Sequence, residues 1–268
     1  MIYNYFIIAW RNLKNNIFFS VLNIVGLSIG MAACLIMGLF AFDQHSYDKH
    51  HQKADRIYRV VNRQQDGNKL SYVAVTQGVL APELVKTFPE IEAATRAGFM
   101  RTSLSTEGED KAVEANVLAV DTAFFSIFDI PFVQRPKGEI LSRKDILISE
   151  TASVRLFGEK NPLGEIISLG ENIQVTVTGV FRDFPTQTHI ASDYIVSFSW
   201  IEKTEPQTLA WEINAWYNYV LMPSQFDKSS FEKKLDAYIH RFTPSSWTRI
   251  EYFLQPLRVI NLQAGYVS

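Results

Sequence analysis

The sequence predicts one N-terminal transmembrane helix followed by a mixed α/β (α+β) core domain in two lobes. Three observations carry this. Residues 15–42 contain no charged side chain. Of the 26 bases and 28 acids, all but Arg11 and Lys14 lie beyond residue 42. In that polar remainder, short apolar stretches of helical and of alternating period succeed one another with no repeated βαβ unit, no internal repeat and no low-complexity linker. The chain therefore reads as an amphipathic interfacial helix over 1–16, a transmembrane helix over 17–42 and a core domain over 43–268.

The first part, YNYFIIAWRNLKNN, spaces Phe6, Trp10 and Leu13 three and four apart, with Arg11 and Lys14 beside them. A helix lying in the headgroup layer would hold Trp10 at the membrane interface and turn Arg11 and Lys14 outward.

Residues 17–42 would make a helix of roughly 39 Å at about 1.5 Å per residue, against a hydrocarbon core of about 30 Å. Helix is the single-segment structure that satisfies every backbone polar group in lipid. A cleaved signal peptide has an apolar region of only about 7–15 residues and a small-residue cleavage site. The longer run, with no A-x-A after Phe42, predicts an uncleaved anchor. Gly26, Gly30, Cys34 and Gly38 recur every four residues, and GLSIG contains a GxxxG. Such a face lets another helix approach closely, and Ser20 and Asn23 add groups that prefer a polar neighbour to lipid. These four positions are the predicted helix-packing residues, and they imply a partner helix. Orientation stays open on charge alone: Arg11 and Lys14 favour an inside amino end, while Lys49, Lys53 and Arg56 flank the other end.

In the core domain, DRIYRVVNRQQDGNKLSYVAVT predicts two strands about a turn at Asp66, Gly67 and Asn68. GVLAPELVKTFPEIEAATR predicts a short helix with Leu80, Leu84, Val85 and Phe88 on one face. Residues 93–120 are strand-like with a polar break at 105–111, and KAVEANVLAVD alternates about Val113, Ala115 and Val117. DTAFFSIFDIPF predicts an aromatic turn or a single helical turn. ILISETASVRLFGEKNPLG predicts strand, helix and turn, with Ser149 as N-cap and Gly158 as stop. NIQVTVTGVFRDFP is a strand marked by Val175, Val177 and Val180, and DYIVSFSW and AWYNYVLM are two more. SSFEKKLDAYIHRF is a helix in which Ser229 and Glu232 can form a capping box. Its apolar stripe is Phe231, Leu235, Tyr238, Ile239 and Phe242. EYFLQPLRVINL closes as a strand and extended tail.

Chemistry is sparse. His45, His50 and His51 gather with Asp43 and Asp48 at spacings that match no zinc pattern, and read as a polar exit from the membrane. His189 neighbours Asp183 and Asp193, which by itself builds no triad. LFGEKNPLG is not a phosphate-binding loop. Trp200, Trp211, Trp216 and Trp247 sit in apolar contexts that suit a core. Cys34 is the sole cysteine, so no intrachain disulfide forms. No catalytic residue, cofactor or metal site is predicted, and a formal charge of -2 without a basic excess argues against nucleic acid.

Several stretches then stand in a familiar order: AWRNLKNN, SVLNIVGLSIGMAACLIM, FDQHSYDKHHQKADRIYRVV, FPEIEAATR, VLAVDTAFFSIFDIPF, ILISETASVRLFGEKNPLGEIISL and VTVTGVFRDFPTQTHI. Together they span nearly the whole chain, which resembles the amino-terminal half of MacB/FtsX-like ABC transporter permeases, particularly the Bacteroidetes type. The resemblance implies a cytoplasmic amphipathic helix, one span of the bacterial inner membrane and a two-lobed MacB-like periplasmic core domain. It implies a non-catalytic permease component that couples the ATP-driven motion of a separate ABC ATPase subunit to the periplasmic domain, in efflux or mechanotransmission, as a dimer. On this resemblance Gly26 and Gly30 would pack against later spans, and Arg11 and Lys14 would face cytoplasmic headgroups. Phe124, Phe125 and Phe128 would pack a lobe, Pro162, Leu163 and Gly164 would form a turn, and Gly179 and Phe184 would shape the run after Val177. Family members continue into three later spans, whereas this sequence ends at QPLRVINLQAGYVS. A partial permease, with the missing half as a further partner, is therefore expected. The alternative from another class is a membrane-anchored periplasmic binding or scaffold module that acts without an ATPase.

Overall fold

The computed structural model describes residues 2–66, 69–106, 112–170, 173–244, 250–263 and 266–267. The chain separates into two compact units, one ending at Ser46 and one beginning at Tyr47.

The first unit is two helices, α1 (Ile2–Asn15) and α2 (Ile17–Ser46). Within α2, Ile17–Gln44 has a mean hydropathy of 2.3, and its most apolar stretch has no residue buried inside the protein. Leu27 and Ile36 are each 67% exposed. A helix this apolar and this bare is long enough to cross a bilayer and has no protein core of its own to enter.

The second unit is a mixed sheet carrying helices. In chain order it contains β1 (Ile57–Asp66), β2 (Lys69–Val73), β3 (Thr76–Gln77), α3 (Leu80–Thr87), β4 (Ala93–Thr106), β5 (Val113–Val120) and α4 (Phe124–Ile127). There follow β6 (Phe132–Gln134), β7 (Asp145–Ser149), α5 (Glu150–Phe157), β8 (Ile166–Leu169), β9 (Ile173–Phe181), β10 (Tyr194–Ser197) and α6 (Ser199–Thr204). The chain closes with β11 (Asn214–Leu221), α7 (Lys228–Ile239), β12 (Ile250–Pro256), two 3-10 turns and β13 (Tyr266–Val267). The sheet order is β13-β2-β1-β11-β4-β5-β10-β7-β9-β6, with β12 also on β1, β3 on β11, and β8 joining β4 and β9. Only β5–β10, β7–β9 and β2–β13 pair in parallel among the described strands.

The two expected lobes take the form of two ends of this one sheet. At one end α3 and α7 bury Leu80, Leu84, Phe231 and Leu235 against Val60, Val220 and Leu254. At the other, Ala152 of α5 and Ile167 of β8 close over Ile146, Val177 and Val196. The long strand β4 belongs to both ends. It pairs with β11 through Ala93–Ala97 and with β5 through Ala97–Leu104, so no break in hydrogen bonding divides the domain.

Local signals hold at several places. Ser149 caps α5 by accepting from the Ala152 amide, and Gly158 ends it at φ 61°. β1 and β2 pair up to Asp66 and Lys69, while Gly67 and Asn68 of the expected turn, like Trp247, lie outside the described residues. Three expectations need correction. The alternation of β5 fails: Val113 is 61% exposed, yet Val117, Leu118, Ala119 and Val120 are all buried. From Val117 onward β5 lies between β4 and β10 with a core on each face, so both sets of side chains go inside. The capping box of α7 does not form. Asp227 caps the helix by accepting from the Ser230 amide, and Glu232 instead accepts from the Leu254 amide of β12 at 2.8 Å. Val85 turns outward, 44% exposed, leaving Leu80, Leu84 and Phe88 as the inner face of α3.

Candidate functional site

In α2 the residues Gly26, Gly30, Cys34 and Gly38 are all exposed, and a Cβ placed on any of the three glycines would meet nothing within 4 Å. The face is bare protein surface of small residues on an apolar rod. GLSIG also has the spacing of a nucleophile elbow around Ser28. Here it is continuous helix, whereas that chemistry needs a sharp strand-to-helix turn. In α1, Trp10, Arg11 and Lys14 are exposed, and the Lys14 ammonium lies 6.0 Å from the centre of the Trp10 ring.

Sequence reasoning missed a buried polar constellation built by the residues that open the second unit. Asp48 is wholly buried and takes a left-handed backbone, φ 56°. Asp is one of the few side chains besides Gly that tolerates this region. Its amide donates to the Gln187 carbonyl at 2.9 Å. One carboxylate oxygen accepts from Thr188 Oγ1 at 3.0 Å, and the other lies 2.8 Å from His189 Nδ1. His189 Nε2 in turn lies 2.9 Å from the hydroxyl of Tyr219, which is fully buried on β11.

The protons follow from burial. Desolvation pushes the Tyr219 hydroxyl well above its ordinary pKa, so it stays protonated and donates to Nε2. Nδ1 then carries the imidazole proton and donates to Asp48. Burial alone would raise the Asp48 carboxyl. Hydrogen bonds from the His189 ring and amide and from the Thr188 hydroxyl outweigh it and hold the group below its usual 3.8. Asp, His and Tyr in a row resemble a catalytic relay, but Tyr219 has no exposed surface and every polar atom of the row is satisfied within it. The arrangement is a pin.

The next residues are fastened to a different part of the domain. His51 is buried, and its Nδ1 accepts from the Asp129 amide at 3.0 Å. Its ring lies 5.1 Å from Phe128. Burial, then the neighbouring His50, depresses its pKa to about 4, as a neutral acceptor requires. The Gln52 amide donates to the Asp129 carboxylate, Lys53 Nζ to the Ser126 carbonyl, and Ala54 is buried. At the entry to β1 the Met222 amide donates to the Arg56 carbonyl, and Arg56 Nε donates to the Met222 carbonyl, each at 2.9 Å. Residues 48–56 are thereby held by the 187–189 loop, the end of α4 and β11. Asp48 and His51 of the expected polar exit are buried anchoring groups, and the partner of His189 is Asp48, 141 residues away, in place of its neighbours Asp183 and Asp193. Asp183 accepts from Thr151, and Asp193 pairs with Arg155.

The geometry defines a class: a single-sheet α/β domain tethered to an apolar helix, with its first residues locked into its core. The MacB-like periplasmic core domain matches residues 20–238, and the chain belongs to the MacB/FtsX-like ABC transporter permease family, with that domain behind one membrane-spanning helix. Solved structures share the fold. A domain assigned to a permease protein of Porphyromonas gingivalis aligns with a TM-score of 0.66 and 23% identity, covering 77% of this chain and 91% of its own. The periplasmic region of MacB from Actinobacillus actinomycetemcomitans gives 0.56 and 15%, covering 80% and 95%. The extracellular domain of the noncanonic ABC-type transporter YknZ from Gram-positive bacteria gives 0.55 and 14%, covering 74% and 99%. No curated protein matches the chain.

Proposed function

We propose that this protein is the non-catalytic, membrane-anchored coupling part of an ABC-type permease. It would pass the motion of a separate ATPase subunit to its periplasmic domain, in efflux or mechanotransmission. The amino end lies in the cytoplasm, with Trp10, Arg11 and Lys14 at the membrane interface, and residues 47–268 lie in the periplasm. Gly26, Gly30, Cys34 and Gly38 form the face on which another span, from a dimer partner or a further permease segment, packs.

The observation that carries this reading is the anchorage of residues 48–56. A displacement of α2 arrives in the domain at Tyr47. A solvated linker there would absorb it by changing a few torsions. A segment pinned by Asp48–His189–Tyr219 and by His51–Asp129 delivers it instead to β11 and α4, in the middle of the sheet. The buried groups suit this task, because breaking any one of them leaves a desolvated polar atom without a partner.

The test is affinity purification of the protein from native membranes, with identification of what accompanies it. An ABC ATPase subunit is expected, and Gly30→Leu is expected to reduce its recovery together with that of the partner span. Recovery of the intact protein from membranes with no ATPase under conditions that preserve other ABC complexes would overturn the proposal in favour of an anchored binding module.

A further inference from the structure

A groove of about 590 Å³ opens beside the anchored segment, lying entirely within the second unit. Its floor is aromatic: Phe125, Phe128, Phe132 and Phe184 line it, with Ile140 and the flanking prolines 131 and 185. Phe128 is 2% exposed and its ring meets Tyr219 at 5.2 Å, so it joins the half-buried phenylalanines of the floor to the core.

The polar rim is unequal in its commitments. Two carboxylates stand there, and both are occupied by the protein: Asp129 accepts from the Gln52 amide, and Asp183 accepts from the Thr151 amide and hydroxyl at the start of α5. Two guanidiniums stand there as well, and both are exposed. Among the described residues neither Arg135 nor Arg182 forms an ion pair. Arg135 only rests over Phe132 at 5.7 Å. Amide and hydroxyl donors hold the two carboxylates of the rim in place, while its two guanidiniums meet no internal anion among the described residues and stand open to one from outside. The planar fork of arginine is suited to bidentate capture of a carboxylate.

We propose that this groove docks an extended acidic segment of a partner protein, which sets an aromatic side chain on the phenylalanine floor and a carboxylate on Arg135 and Arg182. A peptide fits the lining better than an acyl chain does. Six of the fourteen lining residues are polar or charged, which matches side chains of alternating polarity, whereas an acyl chain needs an unbroken apolar wall. Occupancy of the groove does not depend on whether force passes through the pinned segment.

The experiment uses the full chain in detergent and fluorescein-labelled pentapeptides read by anisotropy. The probe is Asp-Phe-Glu-Phe-Asp, and the controls are Asp-Ser-Glu-Ser-Asp, Lys-Phe-Lys-Phe-Lys and laurate. Saturable binding of the probe is expected, with both control peptides at least about tenfold weaker and affinity falling as salt rises. The double variant R135E/R182E should keep its thermal transition, since both side chains are exposed, lose about tenfold in affinity for the probe, and gain affinity for the basic peptide. Equal binding of the serine peptide, an unchanged affinity in R135E/R182E, or no binding of the probe would each overturn the proposal. Saturable laurate binding without peptide binding would overturn it in favour of a lipid.

Discussion

Glycine meets opposite surroundings in the two units, and the contrast separates what this chain completes within itself from what it presents. In α2 a Cβ added at Gly26, Gly30 or Gly38 would touch nothing within 4 Å. In the sheet a Cβ at Gly98 would fall 2.2 Å from the Trp216 ring, and one at Gly179 would fall 2.8 Å from Pro136. Gly98 is small because the Trp216 ring of β11 lies against it on β4. Its close approach is already made, and the tryptophan is 6% exposed as a result. The glycines of the helix have the same chemistry and no approach made within this chain. Residues 48–56 lie just past the helix in sequence yet behave like the sheet, with Asp48, His51 and Ala54 buried, the Asp48 carboxylate held by His189 and His51 Nδ1 by the Asp129 amide.

Substitutions can test how sharp that boundary is. The largest effect is expected at His189→Ala, which would leave the buried Asp48 carboxylate without its partner. Breaking a buried pair in this way costs about 3–5 kcal/mol, readable as a lowered denaturant midpoint of the full chain. A midpoint within experimental error of the wild type would show the pin to be idle. Tyr219→Phe removes the contacts of its hydroxyl with His189 and Arg59 and should cost less, about 1–3 kcal/mol.

Acid should act on the same segment. The buried His51 has a pKa of about 4 against an ordinary 6.5, so between these values the unfolded chain binds the additional proton. The stabilising contribution is whole above pH 6.5 and is lost as pH falls towards 4, on the order of 3 kcal/mol in total. Asp48, held below 3.8, adds its loss only under that pH. Thermal unfolding followed from pH 7 to 4 should show the decline, and His51→Asn, which keeps an acceptor for the Asp129 amide without a titrating ring, should flatten it. An equally steep decline in that variant would assign the pH dependence to other groups.

A smaller cost is expected at Gly98→Ala, where the tryptophan must shift to admit a methyl group. Overpacking of this kind typically costs about 1–3 kcal/mol, and the same denaturant curve would report it. The smallest effect on folding is expected at Gly30→Leu, whose new side chain enters open space. Its unfolding midpoint should match the wild type while crosslinking to a partner span in membranes falls. Unchanged crosslinking would remove the packing role from that face.

Much of this molecule was legible because its signals are local. Charge-free length specified α2, a serine three residues before an amide and a glycine after the last turn bounded α5, and alternation marked β9. The errors share one cause. Val113, Ala115 and Val117 follow a period that is true of a strand with one wet face, and β5 acquires a second covered face only when β10 docks beside it. Glu232 was spaced to cap its own helix, yet an unpaired amide on β12 offered it a better partner. Gly98 gave no hint of its role, because the ring that demands it comes from β11.

The same division holds for the functional region. The sequence by itself determined that a long apolar helix precedes a mixed α/β domain, because hydropathy and period are summed over neighbouring residues. It also determined which small residues line that helix. Only the tertiary structure decided that Asp48 meets His189 and Tyr219, that His51 turns inward to Asp129, and that Arg135 and Arg182 share one groove. Those contacts join residues far apart in the chain. Loop closure makes such contacts unfavourable one at a time, so they exist only once the sheet has formed and holds both partners in place.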